Sequence, residues 1–328
     1  MRRSALAAGA VASAIAGIIA LVPGGTAAAT PESVPVAGHP WGKSMSPEER
    51  QNVAVVKAYV EHVLNEHEVG SIGRYISADY VEHNPGIGKT RDDLVKDLTG
   101  VFEGFPDYRV AVNNLIADGD RVVIINTVNA TNTGPLSGKP ATGETLQQRN
   151  GDFFRLKHGK IVEHGDVYDY SRTANFGLTT PSGQQAFQTD FTSRYTRQES
   201  ANLSVATTFF NELINGHDLG AIDRHLSPAY AQHVEELPPG RDGVRGFFAE
   251  QFKSFPDTAI TLEHVFASGD QVALVTTLTG TNTGPYFGKP ATGREFTFRA
   301  VDWFRVQDGK LTDHWNAADN SSAVTFLG

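Results

Sequence analysis

Apolar and polar positions along the chain change period partway through each half. From Ser46 onward, Val53, Val56, Val60, Val63 and Leu64 recur at three- and four-residue spacing, which places them on one face of a helix. Ser46-Pro47-Glu48-Glu49 supplies the start of that helix: a serine that can cap, a proline at the first helical position and a glutamate in the capping-box place. Short helical turns are expected around Ile72 to Ile76, followed by a second helix over Arg91–Phe105 with Leu94, Leu98, Val101, Phe102 and Phe105 inward. Phe105-Pro106-Asp107 ends it, because proline neither continues a helix nor tolerates a helical residue before it. Beyond this point the period falls to two. Strands are predicted at Tyr108–Ala117, Arg121–Thr131, Glu144–Leu156 and Lys160–Tyr170, separated by turn-forming stretches. Helices first and then an antiparallel meander are the signature of an α+β fold.

The whole pattern then occurs a second time. "TNTGPLSGKPATG" begins at Thr131 and "TNTGPYFGKPATG" at Thr281, an offset of 150 residues that also pairs Tyr80 with Tyr230, His83 with His233, Asp152 with Asp302 and His164 with His314. A period this long exceeds solenoid units of roughly 20–50 residues, so the chain is a duplicated domain. The repeated Gly- and Pro-rich loop has neither Walker-type nor dinucleotide-binding spacing and is read as turn chemistry.

Length and composition narrow the remaining choices. The 328 residues accommodate two ordinary domains, expected at 46–171 and 198–322, with a polar linker at 172–197 and a tail at 323–328. The first 29 residues have a basic start, an apolar run from Ala5 to Val22 and small residues at Ala27-Ala28-Ala29, the layout of a signal peptide. Residues 30–45 are then a disordered mature N-terminus, the protein is secreted, and no membrane association remains after processing. A net charge of −9 gives no basic footprint for nucleic acid. There is no cysteine, hence no disulfide or thiol nucleophile.

Candidate chemistry concentrates on the last two strands of each copy. Phe296, Phe298, Ala300, Phe304 and Val306 alternate onto one strand face, and Asp302 lies among them; the first copy aligns Leu146, Gln148, Asn150, Asp152, Phe154 and Leu156. Burial raises the pKa of such a carboxyl unless it is hydrogen-bonded, so these aspartates are either structural acceptors or acid/base groups. His164 and Asp166 share the next strand's face, as His314 and Asn316 do in the second copy, and a His/Asp pair two apart can move protons near neutral pH. His83 and His233, each three residues after a tyrosine (Tyr80 and Tyr230), are further polar candidates. No HxH or HExxH spacing occurs, and neither a metal nor a cofactor is expected.

The stretches "DYVEHNPG", "FEGFPDYRV", "DGDRVVIINT", "TNTGPLSGKPATG" and "FFRLKHGKIVEHGDVYD" resemble, in order and in both copies, the SnoaL-like polyketide cyclase (ester cyclase) family of the nuclear transport factor 2-like superfamily. The resemblance implies two tandem cone-like domains, each a curved antiparallel sheet wrapped by N-terminal helices around an apolar pocket. It further implies that Asp166 is the acid/base of an aldol-type ring closure, with Asn150 and Asp152 at places resembling the family's substrate-contacting polar pair; beside it, His164 and Asp152 are expected to tune or orient Asp166. Substrate contacts fall to His83, Asn150, Phe154 and Tyr80, and in the second copy to Asp302, His314, Asn316 and His233. The family's usual tryptophan is Gly165 in the first copy and its usual aspartate is Asn316 in the second. Two functions follow as expectations: cofactor-free acid/base chemistry on a small apolar carbonyl compound, or a non-catalytic module binding such a ligand. The two copies are expected to pair within the chain as a pseudo-dimer, because an open sheet buries its exposed face against a partner.

Overall fold

In the computed structural model, residues 45–176 and 195–319 are described, apart from 235, 236 and 287. The expected signal segment, the centre of the linker and the tail lie outside them. The first domain runs α1 (Pro47–Ala58), β1 (Ile76–Glu82), α2 (Arg91–Gly104), β2 (Arg109–Asp118), β3 (Arg121–Thr131), β4 (Thr145–Lys157) and β5 (Lys160–Val167). The second repeats this as α3 (Arg197–Phe210), a short α4 (Ala221–His225), β6 (Leu226–Gln232), α5 (Gly240–Ser254), β7 (Ala259–Ser268), β8 (Gln271–Thr281), β9 (Glu295–Gln307) and β10 (Lys310–Ala318). α1 opens with the expected reciprocal cap between Ser46 and Glu49, and α3 with the same device from Thr196 and Glu199.

Each domain holds one five-stranded sheet, ordered β1-β5-β4-β3-β2 and β6-β10-β9-β8-β7. The four meander strands are antiparallel as expected, but β1 joins the edge parallel to β5, so the sheet is mixed. That strand escapes the hydrophobic pattern because its inward positions are Ile76, Tyr80 and Glu82, ending in a buried acid where alternation predicts an apolar residue. The chain also stays within the first domain past Ser171: a 3₁₀ turn over Tyr170–Phe176 sets Phe176 edge-on to Phe105, with ring centroids 5.1 Å apart.

The repeated loop has a packing reason. Asn132 donates to the carbonyl of Gly104 at the end of α2 (3.0 Å), and a Cβ on Gly134 would stand 1.9 Å from the Glu103 carbonyl oxygen. Only glycine permits that approach, and Gly284 meets Lys253 in the same way. The loop thus staples the last turn of the helix to the mouth of the sheet.

Strand alternation divides the core in two. Inward faces build one apolar cluster per domain under the helices. Outward residues, among them Ile116, Val123, Ile125 and Phe153 from the first sheet and Phe266, Val275, Val301 and Trp303 from the second, form a third cluster in which the sheets lie back to back. Reciprocal polar contacts cross this seam: Arg149 reaches the Asn316 carbonyl and Arg299 the Asp166 carbonyl, each at 3.4 Å. Tyr195 adds a hydrogen bond to Asp118 at 2.9 Å. Among the described residues no helix is long and apolar enough to cross a membrane.

Candidate active site

The parallel pairing of β1 with β5 sets Glu82 beside His164, and the antiparallel pairing of β5 with β4 sets Asp166 opposite Asp152. These registers concentrate four ionisable groups on one patch of the inner sheet face. His164 Nδ1 donates to both Glu82 oxygens at 3.0 Å, and its Nε2 donates to Asp152 Oδ1 at 3.0 Å. Because both partners are carboxylates, both ring nitrogens carry protons and the ring is an imidazolium. Burial alone would drive its pKa down, but the Glu82 charge and the hydrogen bonds to Asp152 and Glu82 outweigh it, and the pKa stands well above the usual histidine value.

Glu82 is 0% exposed. Burial pushes its pKa up, yet the His164 charge, the bonds from His164 and Tyr80 and the Asn84 amide at 2.9 Å hold it below the normal range. Tyr80 donates its hydroxyl to Glu82, and Asn126 donates to Asp152. The Asp166 carboxyl faces the cavity with, among the described residues, a single side-chain donor, Asn84 Nδ2 at 2.6 Å, itself oriented by the Tyr170 hydroxyl at 2.5 Å. Burial raises the pKa of Asp166 to about 7; the His164 charge and Asn84 oppose the rise, while Asp152 and Glu82 reinforce it.

This patch floors a cavity of about 780 Å³ roofed by α2 and closed by Tyr108, Tyr168 and Phe176. Asn150, Asp152, Phe154, His164 and Asp166 all line it. Three other expected contacts do not fit their assigned places. Tyr80 lies behind the floor, serving Glu82. His83 follows an inward Glu82 and so turns outward, where Nε2 stands 3.5 Å from Glu163. His233 likewise stacks on Trp315 at 4.4 Å and pairs with Asp313 at 2.9 Å.

The second domain keeps the outline but not the space. His314 bonds Gln232 and Asp302 at 3.0 Å each, and Thr276 donates to Asp302 at 3.1 Å. Asp302, His314 and Asn316 line a cavity of about 50 Å³, room for a few waters and not for the ligand expected there. Phe210, Phe247 and Phe298 line it where the first domain has Val60, Asp97 and Gln148.

Sequence reasoning missed Glu82, Asn84, Asn126 and Asp97. The visible signal was their mismatch with Gln232, Val234, Thr276 and Phe247 inside an otherwise faithful repeat.

A mixed curved sheet closed by helices over a polar-floored cavity, built twice in one chain, defines a tandem α+β cone protein of the nuclear transport factor 2-like type. The chain belongs to the SnoaL-like polyketide cyclase family, whose description matches residues 53–175 and again 204–325. Among solved structures it is similar to TsrD from Streptomyces laurentii, with 26% sequence identity, 41% of this chain and 98% of that chain covered, and a TM-score of 0.37. It is also similar to IdmH from Streptomyces antibioticus (28% identity, 39% and 98% covered, TM-score 0.34) and to AclR from Streptomyces galilaeus (25% identity, 40% and 86% covered, TM-score 0.37). No curated protein matches the chain.

Proposed function

We propose that the first domain performs acid/base chemistry on a small, largely apolar carbonyl compound, moving a proton to and from carbon in an aldol-type cyclisation or isomerisation, with Asp166 as the proton carrier. The observation that carries this reading is the position of Asp166: a cavity-facing carboxyl with one amide donor and a pKa raised by burial to about 7, two residues from a clamped imidazolium. A group titrating near the working pH is the most effective general base or acid. His164 is not that group, because Glu82 and Asp152 occupy both of its ring nitrogens. Its fixed charge instead favours the anionic, enolate-like state that forms when carbon loses a proton, and Asn150 orients the carbonyl. The second domain, with Asn316 in place of the acid and aromatic rings in place of the cavity, acts as a structural partner.

Asp166→Asn keeps shape and removes the titrating proton. It should lower turnover of an accepted substrate at least ~100-fold, whereas Asn316→Ala leaves it within about twofold. Full activity in Asp166→Asn would return the cavity to the non-catalytic, ligand-binding reading. Export is part of the same proposal and rests on the basic, apolar and Ala-rich opening of the chain. N-terminal sequencing of the mature protein should find its first residue near Ala29 or Thr30.

A further inference from the structure

The charged side chains lining the first cavity are Asp93, Lys96, Asp97, Asp152, His164 and Asp166. Most of this charge is already answered. Asp93 caps α2, accepting from Thr90, and Lys96 is an exposed residue that adds a weak attraction to Asp93. The single positive charge on the floor, His164, lies between Glu82 and Asp152. What remains is an anionic excess. Asp166 has Asn84, but Asp97, on the cavity side of α2, has no hydrogen bond or ion pair among the described residues.

Asp97 is directed inward. Its charge is felt by Tyr59, Tyr108 and Tyr168, all on the cavity wall. Burial and the field of Glu82 raise its pKa to about 6, so it is mostly ionised at neutral pH and lacks a counter-charge. A half-buried carboxylate without a partner costs stability, and the second domain removes that cost by placing Phe247 at the equivalent position. The first domain retains the acid together with the open cavity.

We propose that Asp97 is a specificity residue that receives a protonated amino group, so that the substrate class of this cavity is an amine-bearing apolar compound and not a carboxylate or phosphate ester. The proposal rests on the cavity's being the working site. An ammonium at Asp97 completes an ion pair in a poorly solvated space, whereas an anionic ligand would meet Asp97, Asp152 and Asp166, with the His164 charge already taken and only the exposed Lys96 to receive it. With the amine held at the helix wall, the reacting carbon lies toward the sheet wall that carries Asp166.

Three ligands of one shape and different charge test this: naphthylmethylammonium, naphthylmethanol and naphthoate, titrated calorimetrically at about pH 8, where the amine is protonated. The ammonium should bind about tenfold or more tighter than the alcohol, the scale of a charge-assisted hydrogen bond, with naphthoate weakest. Asp97→Asn should bring the ammonium to within about threefold of the alcohol without weakening the alcohol, and Asp166→Asn should keep the preference. An ammonium no tighter than the alcohol in the wild type, a preference that survives in Asp97→Asn, or naphthoate as the tightest ligand would each overturn it. The wild-type ranking needs no variant to fold. The outcomes also separate the two readings: loss of turnover in Asp166→Asn with no charge preference sinks only the amine, and an Asp97-dependent preference in a protein whose Asp166→Asn form is fully active sinks only the proton transfer.

Discussion

The two domains share strand order, the cap of the first helix, the stapled loop and a histidine bonded to an aspartate on the inner face, yet one encloses about 780 Å³ and the other about 50 Å³. The difference arises from a few inward positions. Where the first domain has Val60, Asp97 and Gln148, the second has Phe210, Phe247 and Phe298, and where the first buries Glu82 beneath its histidine the second has the neutral Gln232. The domain that lacks the space also lacks counterparts of Glu82, Asp97 and Asp166, and the carboxylate it keeps on the inner face, Asp302, is held by His314 and Thr276, as burial requires. Fold and site are therefore separable here. The sheet and its staples maintain the first, and the inward polar residues maintain the second.

The sharpest way to break the comparison is at the buried acid. Glu82→Ala leaves the His164 charge, the Tyr80 hydroxyl and the Asn84 amide short of an acceptor, and urea denaturation should show a loss of about 4 kcal/mol, the range for breaking a buried pair. Gln232→Ala, losing only the hydrogen bonds of an uncharged amide to His314, Tyr230 and Val234, should cost about 1–2 kcal/mol. Equal costs would mean that the two floors are held in the same way.

The second test exchanges the roles of the cavities. Phe298→Ala removes a buried ring, one of several that fill the second cone, and should cost about 3 kcal/mol and open a dry void detectable by xenon binding. Gln148→Ala at the equivalent place should cost about 1 kcal/mol, since it loses a hydrogen bond to Asn150.

The third contrast is electrostatic and belongs to the first domain. The folded-state pKa of Asp166 lies above its unfolded value, so from about pH 4 to about 7 the native chain holds a proton that the unfolded chain releases. Stability falls as pH rises through that window, with this group contributing at most about 1.4 kcal/mol per pH unit. Asp97, raised to about 6, adds a fall in the same direction. Asp166→Asn should flatten its own part of the slope and gain relative stability above pH 7, whereas Asn316→Ala should leave the slope unchanged.

Much of this was legible in the sequence. The 150-residue offset gives the duplication, and the alternation from Phe296 to Val306 correctly turns Asp302 inward and Trp303 outward, as Asp152 and Phe153 do in the first copy. The parts that were not legible share a cause. Glu82 closes a short strand at the position where an apolar residue is expected, and an isolated glutamate reads as solvated surface until a partner strand brings a histidine beside it. Asp97 sits in "RDDLVKD", the usual texture of an exposed helix face, and only the cavity beneath α2 distinguishes it from Asp92. Volume is a property of several side chains converging from different elements, and no periodicity along one of them records it.

Gly151 and Val301 occupy equivalent positions in the two copies, and they meet each other at the seam: a Cβ on Gly151 would come within 2.5 Å of a Val301 methyl carbon. In a dimer of identical chains every substitution is inherited by both sides of the axis at once, so this position could be valine facing valine, which overlaps, or glycine facing glycine, which leaves a hole. A tandem gene escapes that rule. Each half can mutate alone, and a knob on one side can be matched by a recess on the other. Fusion thereby turns an interface between equals into one that recognises its own unlike half, the precondition for one cone to fill with phenylalanine while its neighbour keeps an acid and an open floor.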